Sequence, residues 1–250
     1  MTPKYKRVLL KLSGEALAGD KKTGLDLPTI NTICQSVKRC YDAGVEIGIV
    51  VGGGNFWRGR SSENMDRVTA DHIGMLATTM NALAVGDALK NLGCDVRVMS
   101  AIAMNAICEP YIREKAIRNF EKGRIVIFGC GTGNPFFSTD SAAALRAAEL
   151  NMDIVLKATM VDGVYDQDPL KFDDAVKYET LKHKDILVNG LRVLDGTAAA
   201  MCIDNNIPLI VFDLHRPDNI FDAVMGEKVG TLVSNQNSLN ERNKYHERNT

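Results

Sequence analysis

Three separated stretches combine cations and glycines in a way that suits phosphate. Lys11 sits near the end of the apolar run Arg7-Val8-Leu9-Leu10-Lys11-Leu12 and is followed by Ser13-Gly14. Gly52-Gly53-Gly54-Asn55 follows the Ile- and Val-rich run 46–51, with Arg58 just beyond. Gly129-Cys130-Gly131-Thr132-Gly133-Asn134-Pro135-Phe136-Phe137-Ser138-Thr139-Asp140 follows the apolar run 124–128. A lysine is a point charge that can reach phosphoryl oxygens, while turn amides and glycines let a backbone come close to an anion. The third stretch reads as strand, glycine-rich loop and helix start, with Asn, Ser and Thr side chains adding donors. Its spacing departs from the dinucleotide fingerprint, because the third glycine of G-x-G-x-x-G would fall at Asn134, and no G-x-x-x-x-G-K-[ST] occurs anywhere. An ordinary Rossmann or P-loop protein is therefore disfavoured. Each stretch alone has a plainer account: a long structural βα connection for the third, a solvated side chain for Lys11 or Arg58. Three consecutive glycines forfeit backbone entropy without a packing return, which favours close approach of a ligand at 52–54.

The hydrophobic pattern supplies the elements that must hold these stretches. Residues 28–43 form the cleanest helical pattern, with Ile30, Ile33, Cys34, Val37, Cys40 and Tyr41 on one stripe, Pro28 at the start and Gly44 after the end. Residues 66–92 predict one long helix, or two joined near Gly86, with Ile73, Leu76, Met80 and Leu83 in register. Such wide apolar coverage suggests contact with more than one layer, a subunit neighbour included. Asp71-His72 near its start could meet a ligand hydroxyl; the competing accounts are dipole complementation by Asp71 and an ordinary capped or partly buried imidazole, the reading preferred for His72. Further strands are predicted at 95–99, 124–128, 152–157, 209–212 and 231–233, and helices at 110–121, 141–150, 190–205 and 219–225. Asp195 falls near the N-terminal end of the 190–205 helix, on a face away from its apolar stripe. After the 152–157 strand and Ala158-Thr159, the turn-rich segment 161–169 carries Tyr165 and Asp168. These could offer a purine a face to stack on and an acceptor, or simply form an Asp-Gly turn with a proline stop. Strand alternating with helix implies right-handed crossovers and a largely parallel, helix-covered sheet.

Composition narrows the function. With 30 basic and 31 acidic residues among 250, the net charge of −1 gives no field for a nucleic-acid polymer or an anionic membrane. The run 73–89 is interrupted by Thr78, Thr79, Asn81 and Asp87, which marks a buried helix rather than a membrane span. Six cysteines without metal-ligand spacing or a secretory leader read as free thiols in a reducing compartment, hence the cytoplasm. We expect a single folded unit over 1–233 and a polar, disordered tail over 234–250.

Taken together, these residues resemble the bacterial uridylate (UMP) kinases of the amino-acid kinase superfamily. The matching blocks are Lys11-Leu12-Ser13-Gly14-Glu15, Gly52-Gly53-Gly54-Asn55 with Arg58-Gly59, Asp71-His72, Thr132 through Asp140, and Leu156-Lys157-Ala158-Thr159 through Asp168-Pro169. They run to about Val233, and the Gly-Thr-Gly-Asn-Pro-Phe-Phe run separates this family from carbamate, acetylglutamate and aspartate kinase relatives. The resemblance implies a three-layer α/β/α sandwich with a mostly parallel central sheet, usually a homohexamer, moving the γ-phosphoryl of ATP to UMP with Mg2+. It further implies that Lys11, Leu12, Ser13, Gly14, Gly54, Arg58, Thr159, Tyr165 and Asp168 serve ATP. Gly53, Asp71, Thr132, Gly133, Asn134, Pro135, Phe136, Phe137, Ser138 and Thr139 would serve UMP. By the same resemblance Lys11 stabilises the transferring phosphoryl, Asp140 and Asp195 orient the lysine or the metal, and Lys157 is a second cation; the direct metal ligands stay open. GTP activation and UTP inhibition belong to the same expectation, although the Asp20-Lys21-Lys22 loop gives no clear effector match, and the tail extends past the usual ending. Two rivals remain: a superfamily relative that phosphorylates a carboxylate or carbamate, and a protein of the same fold that binds nucleotide without turnover.

Overall fold

Along Arg7–Leu12 the side chains of Val8, Leu10 and Leu12 enter one apolar cluster, while Leu9 enters a second on the opposite side. A strand buried on both faces must lie between two helical layers. The computed structural model, which describes residues 2–57, 65–169, 171–191 and 193–235, has that arrangement. The strands are β1 Arg7–Leu12, β2 Glu46–Val51, β3 Val96–Ser100, β4 Glu109–Pro110, β5 Ile125–Gly129, β6 Ile154–Thr159, β7 Val164–Tyr165, β8 Lys177–Tyr178, β9 Thr180–Lys182, β10 Leu209–Asp213 and β11 Thr231–Ser234. The helices are α1 Gly14–Leu17, α2 Leu27–Asp42, α3 Arg67–Asn91, α4 Arg113–Glu121, α5 Thr139–Glu149, α6 His183–Val188, α7 Gly196–Asp204 and α8 Asn219–Met225.

Nine strands form one sheet in the order β4-β3-β5-β2-β1-β6-β10-β11-β9, and β7 and β8 make a separate antiparallel hairpin. Within the large sheet every neighbouring pair is parallel except β10 and β11. Helices α1, α2, α3 and α8 cover one face with Leu10, Ile49, Ile127 and Leu156. Helices α4, α5, α6 and α7 cover the other with Leu9, Val50, Val126 and Val155. The three layers and the mostly parallel sheet are those the sequence predicts. The chain leaves β1 toward the first helical layer and leaves β6 toward the second, so the sheet has its switch point between these two neighbours. Ligands of open α/β sheets bind at the carboxyl ends of strands at such a point.

Of the two readings open for 66–92, the structure has the single continuous helix through Gly86, where a Cβ would stand 3.1 Å from Val98 Cγ2, so glycine permits close packing on β3 and not a break. Its buried side includes Ala70, Ala77, Ala82, Val85 and Leu89, whereas Leu76, Met80 and Leu83 of the apolar stripe named from the sequence are exposed. The 190–205 helix begins only at Gly196, with Asp195 as its N-cap accepting from Ala198 N at 2.9 Å. At the other end of the chain, Ser234 belongs to β11 and the Asn235 side chain donates to Ile203 O at 2.8 Å, while the tail beyond lies outside the described residues.

A buried amide pair locks α3 to the loop after β2. Asn81, wholly buried, donates to Gly52 O at 2.6 Å and exchanges hydrogen bonds with Asn55, which also donates to Gly24 O at 2.7 Å. Asn81→Ala would orphan Gly52 O and half of the Asn55 amide at once. We expect it to lower unfolding stability by about 2 kcal/mol in urea with an unchanged m-value; an unchanged midpoint would show that the amide pair contributes nothing net.

Candidate active site

Parallel pairing of β1 with β6 sets Lys11 directly beside Lys157, both on the face that carries Leu9 and Val155. Two ammonium groups in register repel. The charge between them comes from the first turn of α5: Asp140 Oδ1 lies 2.9 Å from Lys11 Nζ, and Oδ2 accepts a hydrogen bond from Lys157 Nζ. All three side chains are largely withdrawn from solvent, at 13%, 12% and 17% exposure for Lys11, Lys157 and Asp140. Burial raises the Asp140 pKa, but the charges of Lys11 and then Lys157 outweigh it and hold the carboxyl below its usual value. For Lys157 burial dominates and pulls its pKa below that of an ordinary lysine, against the opposing pull of Asp140. Lys157 also donates to Val193 O, a partner with no signal in the sequence.

The two lysines line a cavity of about 760 Å³, whose walls include Ser13 and Gly14 after β1, Gly52, Gly53 and Gly54 after β2, Thr139 at the start of α5 and Thr159 at the end of β6. Tyr165, Asp168 and Phe172 continue it outward. Its size suits a nucleotide, and the N-terminus of α5 opens near it beside two cations. The glycines have a nearer cause than a ligand. A Cβ on Gly14 would lie 2.7 Å from Gly54 N and 2.8 Å from Gly52 O, and one on Gly53 would lie 2.8 Å from Gly74 O, so the two loops and α3 pack backbone to backbone. Gly54, with only the Glu15 side chain nearby, is the freest of the three.

Other predicted residues are distributed around this centre. Leu12, the last residue of β1, has a fully buried side chain, its carbonyl accepts from Gly52 N at 2.9 Å, and it is not among the residues that line the cavity. Tyr165 donates its hydroxyl to Asp162 at 2.7 Å, and Lys177 holds the same carboxylate at 2.9 Å, an orienting pair that the sequence did not reveal. Asp168 sits in the following turn, its carbonyl accepting from Lys171 N and Phe172 N. Arg58 lies outside the described residues.

Thr132, Gly133, Asn134, Pro135, Phe136, Phe137 and Ser138 run outside the cavity. The loop is pinned at several points: Cys130 N donates to Thr78 Oγ1 at 2.9 Å, Phe136 N donates to Asp71 Oδ2 at 2.8 Å, and Ser138 Oγ donates to Asp195. Asp71 also pairs with Arg67 at 2.8 Å, so it ties α3 to this loop. Cys130 and Phe136 have φ of 60° and 71°, a conformation that non-glycine residues rarely hold unless their surroundings fix it. Phe136 and Phe137 nonetheless remain exposed. Asp195 touches neither lysine by a hydrogen bond; it joins the start of α5 to the start of α7, accepting from Ser138, Ser141 and Ala198 N.

The family model for the amino acid kinase family matches residues 6–213. A curated uridylate kinase of Streptococcus thermophilus is 54% identical over 240 residues, covering 95% of this chain and 98% of that protein. The chain belongs to the uridylate kinases of the amino acid kinase family. A UMP kinase of Bacillus anthracis has a similar solved structure, with a TM-score of 0.90 at 40% identity over 94% of this chain and 98% of the other. A UMP kinase of Ureaplasma parvum gives 0.87 at 37% identity, over 92% and 99% of the two chains. The uridylate kinase of Archaeoglobus fulgidus is more distant, at 0.69 and 29% identity, covering 90% and 99%. The match to the family model ends at Asp213, with the last residue of β10, so the paired lysines and all the glycine-rich strand ends fall inside it.

Asp140 held below its usual pKa stabilises the fold fully above the unfolded carboxylate value and loses that contribution as pH falls through the folded value. Asp140→Asn should cost about 3 kcal/mol near neutrality by leaving two buried lysines uncompensated. The gap to wild type should then narrow below about pH 4 in urea titrations. A gap that stays constant into acid would remove the charge from the explanation.

Proposed function

We infer that the protein is an ATP-dependent kinase of a nucleoside monophosphate, converting UMP and ATP to UDP and ADP in pyrimidine nucleotide synthesis. The observation that carries the mechanism is the pair Lys11 and Lys157 at the floor of a nucleotide-sized crevice, with Asp140 between them. A phosphate oxygen of UMP attacks the γ-phosphorus of ATP, the bond from that phosphorus to the β,γ-bridging oxygen breaks, and ADP leaves with the electron pair. The UMP phosphate is already mostly ionised at neutral pH, so the site needs positioning and positive charge rather than a general base. Lys11 meets the transferring group, Lys157 adds a second cation, and Asp140 keeps both ammonium groups aimed into the crevice. Ser13, Gly14, Gly54 and Thr159 hold the donor phosphates, and Tyr165 and Asp168 flank the adenine. Gly53, Asp71 and residues 132–139 take UMP. Asp195 acts at one remove, by fixing the turn that carries Asp140.

Among the described residues no group of three or more His, Cys, Asp or Glu side chains could hold a metal ion. Mg2+ entering with ATP would supply further positive charge for the transferring phosphoryl beside Lys11 and Lys157. The reading extends to a homohexamer, which the exposed Leu76, Met80 and Leu83 on α3 support. It extends also to GTP activation and UTP inhibition, on family resemblance alone. A cytoplasmic setting is supported by six free thiols. No helix among the described residues is long and apolar enough to cross a membrane.

An ADP-release assay offering UMP, CMP, carbamate and acetylglutamate as acceptors tests the assignment, with UMP expected to give by far the fastest turnover. Tight ATP binding with no ADP formed would favour a non-catalytic binder. Lys11→Ala should lower turnover by about 100-fold or more with little change in fold, and near-normal turnover would refute its role. Tyr165→Ala should raise the KM for ATP and leave that for UMP less affected; an unchanged ATP KM would take Tyr165 out of the adenine pocket.

A further inference from the structure

Arg146 lies two turns beyond Asp140 on α5 and is 4% exposed, the most deeply buried arginine among the described residues. Its neighbours on the helix are small: Ala142, Ala143, Ala144 and Ala147. An apolar side chain would fill that space without the cost of desolvating a guanidinium, so packing alone does not account for a charge there. Its contacts do. Nη1 pairs with Glu149 Oε2 at 2.5 Å, the guanidinium carbon lies 3.8 Å from the centre of the Tyr111 ring, and Nη2 donates to Gly131 O at 3.3 Å. Tyr111 closes the arrangement by donating its hydroxyl to Glu149 Oε2 at 2.6 Å, and its ring meets Phe128 edge-on at 5.6 Å.

We propose that Arg146 is a positioning residue for the acceptor nucleotide, setting the course of the 131–138 loop through the Gly131 carbonyl. Gly131 is the second of two consecutive residues with positive φ, after Cys130, and the chain reverses there between the end of β5 and the loop assigned to UMP. Thr78 fixes the amide of Cys130 from the α3 side. Arg146 holds the next carbonyl from the opposite helical layer, so the turn is gripped from both layers before it reaches Thr132. Glu149 and Tyr111 in turn hold the guanidinium plane, which a lysine could not reproduce because it lacks the planar fork. None of residues 131–138 lines the cavity that Ser13, Gly14 and Thr159 share with the two lysines, so the contacts that change first are those of the acceptor and not those of ATP. This inference rests on the assignment of that loop to UMP in the preceding section.

The test compares wild type with Arg146→Lys and Tyr111→Leu, the second removing both the stacking face and the hydroxyl while leaving the arginine. Arg146→Lys should raise the KM for UMP by about tenfold while the KM for ATP stays within about twofold. Tyr111→Leu should move the same constant in the same direction by less. Amide hydrogen exchange supplies a readout independent of turnover: residues 130–134 should exchange faster in both variants, and the β1 amides should not. Equal rises in both KM values, or a lower kcat with neither KM changed, would overturn the proposal, as would unaltered exchange at 130–134. A wild-type chain that releases no ADP with UMP would instead count against the assigned function, and the exchange measurement would then decide the brace by itself. Should Arg146→Lys fail to fold, Tyr111→Leu decides by the same two readouts.

Discussion

Two lysines forced side by side by strand pairing, with one carboxylate between them, constrain everything else at the centre of this molecule. Lys11 and Lys157 cannot move apart without breaking the hydrogen bonds of β1 to β6, and each is too withdrawn from solvent to be screened well. Asp140 is therefore obligatory, and its place depends on where α5 begins. That start is fixed by the Ser138 cap, and Ser138 and Ser141 are both held by Asp195 at the head of α7. A charge balance in the middle of the sheet thus dictates the junction of two helices in one layer. A phosphoryl group placed against the lysines would find their positive charge directed at it and only partly neutralised, a preorganised field of the kind that phosphoryl transfer rewards.

The sequence carried most of the architecture because the strand runs are strongly apolar and end at glycines. The strands from Arg7–Leu12 through Thr231–Ser234 that form the centre of the sheet were legible within a residue or two, as was the placing of Lys11 and the glycine-rich stretches at the carboxyl ends of β1, β2 and β5. The short pieces β4, β7, β8, β9, α1 and α6 were not. They hold two to six residues each, too few for a period to register, and their pairing depends on contacts distant in sequence. The buried side of α3 was not legible for a related reason. Its buried side is built of small residues and polar ones such as Thr78, Thr79 and Asn81, so the large apolar side chains that dominate a hydropathy reading point outward.

The site shows a similar division. Lys11, Asp140 and Lys157 were named from the sequence, but the mutual geometry came from strand register and a helix cap, neither of which is written in residue type. The glycines at 52–54 were noticed for close approach, and the structure adds neighbours that the sequence did not name: a Cβ on Gly53 would meet Gly74 O and one on Gly52 the turn at Gly14, while all three glycines line the cavity. Lys177, Glu149 and Tyr111 left no trace at all, because a side chain that acts by holding another is recognisable only once both are placed.

The side-by-side lysines also impose a rule on how the chain can lengthen or shorten. Side chains alternate across a sheet with a period of two, so one residue inserted or deleted inside β6 would turn Lys157 toward the layer of α2 and α3 and bring an apolar neighbour to the face that lines the cavity. The same holds for β1 and Lys11. Evolutionary changes of length that preserve activity are thereby confined to the connections, and the two central strands serve as a ruler whose gradations cannot be altered singly.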